Sequence, residues 1–157
     1  MEYILIITII MTVVIYYTLR YIIEIQKDNE ELKFLTLIEK FNSIVNVIDE
    51  ELFGNNSNIK FIKKNKFYLY NNVYPFIVVF YYDRGCLVIT WKHYEKKLIL
   101  EKWFPNVRNI DKSRERTIAD KYLNEILELI IKYEYNTTIV NHYVYKTDNV
   151  IKKLQNI

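Results

Sequence analysis

Residues 1–20, MEYILIITIIMTVVIYYTLR, decide how the chain is read, because they cross a membrane, leave as a signal peptide or enter a core. From Tyr3 to Leu19 no side chain is charged. As a helix that run measures roughly 25 Å, close to the lower limit for a hydrocarbon layer of about 30 Å. Continuing through Arg20 to Ile25 restores the length: Arg20 can extend toward the headgroups, and Tyr16, Tyr17 and Tyr21 suit an interfacial aromatic belt. The many β-branched residues, Ile4 to Ile15, disfavour a marginal helix in water, but in lipid the backbone must satisfy its own hydrogen bonds and helix is enforced.

A cleaved signal peptide wants a basic start, a shorter apolar run and small residues at the cut, whereas here Glu2 precedes the run and Thr18-Leu19-Arg20-Tyr21-Ile22-Ile23-Glu24 follows it. A core element of a soluble protein would usually be shorter. The sequence therefore predicts an uncleaved single-pass anchor with its juxtamembrane segment over residues 1–27, and one α+β domain over 28–157. No lysine or arginine precedes the span while Arg20, Lys27 and Lys33 follow it, so the domain is expected on the cytoplasmic side of a membrane.

Composition narrows the chemistry. At 157 residues the chain has room for one domain of ordinary size. Lys and Arg number 22 against 19 Asp and Glu, a balance of +3 that does not by itself point to nucleic acid. Ile, Asn, Lys and Tyr dominate and Ala119 is the single alanine, a pattern that A- and T-rich codons would also write. Cys86 is the only cysteine, which excludes an intramolecular disulfide, and with His93 and His142 the only histidines no cysteine-rich zinc site is available. No metal and no cofactor are expected: the two glycines, Gly54 and Gly85, are too far apart for a phosphate-binding loop.

After the anchor, Asp28-Asn29-Glu30-Glu31 reads as a capping box that starts a second, amphipathic helix over 28–53. Phe34, Ile38, Phe41, Val45, Ile48 and Leu52 follow steps of four and three and form one seam. That seam serves either a protein partner or homodimer, or packing on the chain's own sheet, and the latter is favoured because three heptads are few for a coiled coil. Gly54-Asn55-Asn56-Ser57 ends the helix.

Residues 59–103 alternate β-branched and aromatic side chains between short turn signals. Strands are expected near 59–63, 66–71, 75–82, 86–93 and 96–103, joined as an antiparallel meander, with Asp83-Arg84-Gly85 as a tight hairpin. In the third strand both alternating sets are apolar, which predicts a central strand covered on both faces. One cover is the 28–53 helix. The other is a C-terminal helix after Asp111, on which Ile118, Tyr122, Ile126, Leu129, Ile130 and Tyr133 repeat at helical spacing, capped by Asp111 or Ser113. Residues 137–145 read as a further strand, followed by a short helix.

Catalytic pairings are weak. Cys86 and His93 would stand on opposite faces of one strand, roughly 23 Å apart. Asp83, Glu95, Glu101 and Asp111 have no spacing that sets a paired acid and base, and read as turn and cap residues. The best binding patch is Lys60, Lys63, Lys64 and Lys66 interleaved with Phe61, Phe67, Tyr68 and Tyr70, with Lys92, Lys96 and Lys97 across the sheet. An ordinary solvated edge that discourages aggregation is the favoured reading of these lysines; contact with anionic headgroups comes next and nucleic acid last. The function expected is a membrane-anchored interaction or assembly protein without catalytic activity, with the bilayer and a protein as partners. The alternatives are a small membrane-associated enzyme built on Glu101, Asp111 and His142, and a lysine/aromatic nucleic-acid module.

Overall fold

The structure, a computed structural model, describes the backbone of residues 2–155 and the side-chain surroundings of residues 3–33 and 35–134. Residues Met1–Ala119 form one compact unit and Asp120–Ile157 a second, into which the last helix continues. The order is α1 (Glu2–Phe34), α2 (Leu37–Lys40), α3 (Asn42–Phe53), β1 (Asn58–Lys63), β2 (Lys66–Tyr70), β3 (Phe76–Asp83), β4 (Cys86–His93), β5 (Leu98–Phe104) and α4 (Lys112–Gln155). This is the α+β plan that the sequence predicts: a long apolar helix, short helices, a five-stranded antiparallel sheet and a C-terminal helix.

Helix α1 is long and apolar enough to cross a membrane, and its most apolar window is not buried in the protein at all. Ile4, Ile7 and Ile10 stand exposed, which removes the reading of this run as a soluble core element. Thr8, Thr12 and Thr18 donate their hydroxyls to the carbonyls of Ile4, Thr8 and Val14, each at 2.8 Å. The run's threonine hydroxyls are thus satisfied within the helix, as an apolar medium requires.

The capping box expected at Asp28 is not a helix start: α1 runs unbroken to Phe34. The start lies at Thr36, whose hydroxyl accepts from the Glu39 N–H at 3.2 Å while the Glu39 carboxylate accepts from the Thr36 N–H at 2.7 Å. Asp28 is instead buried and spent on a tertiary contact described below. The amphipathic helix is accordingly the end of α1 followed by α2 and α3. Gly54 closes α3 in the left-handed region at φ 60°, its N–H donating to the Glu50 carbonyl at 3.0 Å.

The strands pair in the order β1-β2-β3-β4-β5, a plain meander. Asp83 pairs with Cys86 around Arg84 and Gly85, both at positive φ, which is the hairpin geometry whose twist matches the strands. Phe67, Leu69, Val78, Phe80, Tyr82, Leu87, Ile89 and Trp91 face one way and are buried. Against them pack Phe41, whose ring meets Tyr82 edge-on at 5.4 Å, and Phe53, 5.1 Å from Phe76. Phe41, Val45 and Ile48 are buried in this core, while Ile38 and Leu52 are half-buried and Phe34 lies outside the described side chains.

Helix α4 begins beside α3: Asp111 caps it by accepting from the Arg114 N–H at 2.8 Å, and the buried Glu115 accepts from the Ser43 N–H at the start of α3. Tyr122 and Ile126 are buried as well. Residues 137–145, expected as a strand, are helical, because no glycine or proline after Asp111 interrupts the helix once begun. The second expected cover, over the other face of the sheet, is not found among the described residues.

Candidate functional site

Alternation in β2 to β5 puts Tyr68, Val79, Thr90 and Glu101 in one cross-strand row, with Lys66, Tyr81, Val88 and Trp103 in the next. These rows form the sheet face opposite the core. They line an open groove of about 480 Å³, joined by Ile62, Ile77, Lys92 and Tyr94, and none of the lining residues comes from α4. At its border Ile99 and Trp103 are 64% and 62% exposed, while the alternate residues of β5 are half-buried.

The polar groups of the groove are ordered. Glu101 accepts from the Trp103 indole N–H at 2.9 Å and from the Thr90 hydroxyl at 3.3 Å, which holds both the carboxylate and the exposed ring in place. Lys66 Nζ stands 5.7 Å from the Tyr81 ring centroid. Burial raises the Tyr81 phenol above its ordinary value, with the Asp83 charge adding to it, so the ring stays neutral beside the ammonium. The face therefore offers aromatic surface and two lysines around one fixed carboxylate.

The four lysines read from the sequence as one patch are divided by the sheet. Lys66 lines the groove and Lys60 shares its face, opposite Tyr68. Lys63 pairs across the hairpin with Lys66, and Lys64 reaches from the turn to the Asn29 carbonyl of α1 at 3.5 Å. Lys92 joins Lys66 at the groove. Trp103, Thr90 and Glu101 were not grouped by sequence; the only signal was the alternation of Ile99, Glu101 and Trp103 against Leu98, Leu100 and Phe104.

No catalytic pair forms from Cys86 and His93. They occupy opposite faces of β4, and burial pushes the Cys86 thiol up, away from the reactive thiolate. His93 is buried beside Trp91, accepts from the Lys96 N–H through Nδ1 at 3.3 Å, and is held below its usual range by burial and by the Lys96 charge. Asp111 is the α4 cap, Glu101 serves Trp103, and the side chain of His142 lies outside the described residues. Among the described residues no group of three or more His, Cys, Asp or Glu is arranged to hold a metal ion.

A second cluster joins α1 to the sheet. Glu24, Asp28 and Glu31 lie along one face of α1, and Arg108 sits among them. Its Nη1 pairs with Glu24 at 2.7 Å, its Nη2 pairs with Asp28, and its Nε lies 3.4 Å from Glu31. Asp28 also accepts from the Gly85 N–H at 3.1 Å, and Glu31 accepts from the Tyr82 hydroxyl at 2.9 Å and pairs with Lys40 at 3.0 Å. Burial alone would pull the Arg108 guanidinium down, but its bonds to Asp28 and Glu24 outweigh that and raise it. This network fixes the end of α1 to the β3–β4 hairpin and to α2. Comparison of the chain with protein families, curated proteins and solved structures found no match in any of the three.

Proposed function

We propose that this protein is a single-pass membrane-anchored interaction module without catalytic activity, which holds a protein partner against the open face of its sheet. The observation that carries this reading is a groove of about 480 Å³ bordered by the exposed Trp103 and Ile99, on a sheet face that has no cover among the described residues, while the central strands bury their opposite face. An exposed apolar patch with a polar border is what a protein docking site presents. Lys66 and Lys92 line the groove, Lys60 lies on the same face, and the groove's one carboxylate is already engaged, so the partner is an acidic segment carrying apolar or aromatic side chains. Support for the anchor comes from the length and exposure of α1, and for a cytoplasmic domain from Arg20, Lys27 and Lys33 behind the apolar run.

The test is a photocrosslinking residue placed at Ile99 in the full chain, in its native membrane, with a matched probe at the exposed Val73 outside the groove. A discrete protein adduct from Ile99 alone, lost when Lys66 and Lys92 are changed to Glu, is expected. Identical adducts from both positions, or none from Ile99, would refute the docking surface. A second reading is favoured by one feature, the combination of Tyr68, Tyr81 and Trp103 with Lys66 and Lys92, which suits stacked bases and phosphates. Binding of single-stranded nucleic acid that weakens steeply with salt would select it over a protein partner.

A further inference from the structure

Tyr17, Tyr21, Glu24, Asp28 and Glu31 follow steps of four, three, four and three along α1, so a single face of that helix leads from the apolar run into the domain contacts. Between its upper part and two loops lies a cavity of about 650 Å³ that is open to one side, lined by Tyr17, Arg20, Tyr21, Glu24, Arg84 and Asn106. Arg20 is the first charged residue after the uncharged run from Tyr3, so in a bilayer it sits at the level of the headgroups. The position of Arg84 is set independently. It occupies the tip of the β3–β4 hairpin, which is fastened to α1 through the bond from the Gly85 N–H to Asp28, and its guanidinium lies 5.2 Å from the Tyr21 ring.

The charges of the cavity are unequal. Its one carboxylate, Glu24, is already bound to Arg108 at 2.7 Å and to Lys27 at 2.9 Å. Arg84 uses Nε on Asp83 at 3.0 Å, which leaves both terminal nitrogens of its fork without a partner among the described residues. Arg20 has no ion pair among the described residues. Arg20, the terminal nitrogens that Arg84 keeps beyond its pair with Asp83, two tyrosines and an asparagine amide thus surround a space at the membrane boundary, where planar guanidinium groups match phosphate oxygens.

We propose that this cavity binds the phosphate of an anionic membrane phospholipid. The proposal rests on the reading of α1 as a membrane span. Each arginine near a charged bilayer surface contributes about 1 kcal/mol, or roughly fivefold in binding, so the pair is worth roughly twenty-five-fold. The lipid's acyl chains lie along the apolar run while its headgroup reaches the cavity from the membrane side, a geometry that soluble phosphate does not need.

The test uses the full chain in nanodiscs of mixed phosphatidylcholine and phosphatidylglycerol, released into mild detergent, with retained lipids counted by native mass spectrometry. Retention of one phosphatidylglycerol in preference to phosphatidylcholine by about tenfold or more is expected, with the preference abolished in the Arg20→Gln, Arg84→Gln double variant and largely kept in Arg20→Lys. Unchanged tryptophan fluorescence of the double variant reports an intact fold. Equal retention of the two lipids by the native chain, or a preference that survives the double variant, would overturn the site. Loss of the preference in millimolar inorganic phosphate would assign the cavity to soluble phosphate and overturn the lipid. Failure of the membrane reading is scored separately: the native chain would then not enter nanodiscs of phosphatidylcholine alone.

Discussion

Replacing Arg108 by Ala tests the junction between α1 and the sheet most severely. The guanidinium is 21% exposed and Asp28 only 9%, so the variant leaves a nearly buried carboxylate beside Glu24 and Glu31 with its cation gone. Breaking a buried pair from one side costs about 3 to 5 kcal/mol. Partial exposure of Arg108, and Lys40 standing 3.0 Å from Glu31, place this case at the lower end, about 3 kcal/mol. For a chain of this size that lowers the melting temperature by roughly 10 °C. The assay is thermal unfolding of the full chain in detergent micelles, followed by fluorescence, since Trp91 is buried in the core while Trp103 is already exposed. A double-mutant cycle with Asp28→Ala should return a coupling of about 2 kcal/mol, within the span seen for residues of one ion-pair network. A single-variant cost under about 0.5 kcal/mol, as for ordinary surface substitutions, would refute the reasoning, as would a coupling indistinguishable from zero.

Three further outcomes follow from particular residues. His93 has its folded pKa below the ordinary histidine value, so the unfolded chain takes up its proton first; its contribution to stability is present above about pH 6.5 and declines as pH falls below that value. Unfolding midpoints in denaturant measured at pH 7.5 and 5.5 should therefore differ less in His93→Gln than in the native chain, and an equal difference would remove the role given to His93. Gly85→Ala should cost about 1 kcal/mol or more in the same titration, because φ is 69° and the added methyl would stand 3.5 Å from the Arg108 guanidinium carbon; no loss would mean the hairpin tip is not fixed against α1. Trp103→Ser should change stability by less than about 0.5 kcal/mol while abolishing the Ile99 crosslink, since the ring is exposed; a large stability loss would make Trp103 a packing residue.

The features that proved legible were those written locally. Gly54 and the asparagines after it stop α3, Arg84-Gly85 permits the two positive φ values of the hairpin, and alternating apolar residues mark each strand within a residue or two. Asp28 was misread because an acidic residue that caps a helix and one that binds an arginine look the same in sequence; its partners, Gly85 and Arg108, lie 57 and 80 positions away. The true box, Thr36 to Glu39, has the same pattern only eight residues further on. The open face escaped notice for a different reason. Ile77 and Val79 are as apolar as Val78 and Phe80, and a period of two separates the faces of a strand without saying which is covered. The lysine patch was contiguous in sequence, yet pairing of β1 with β2 sends Lys64 toward α1 and Lys66 into the groove. Thr137 to Tyr145 is rich in β-branched and aromatic residues, but strand propensity is a weak guide where an established helix meets no breaker.

The anchor and the lipid site at the juxtamembrane cavity both depend on α1 remaining in the protein and in a bilayer. Alkaline carbonate extraction of membranes containing the full chain, combined with the intact mass of the recovered protein, measures both together. The account predicts that the chain stays in the membrane pellet with residues 3–19 still attached. Recovery in the aqueous fraction, or a mass that lacks those residues, would contradict it.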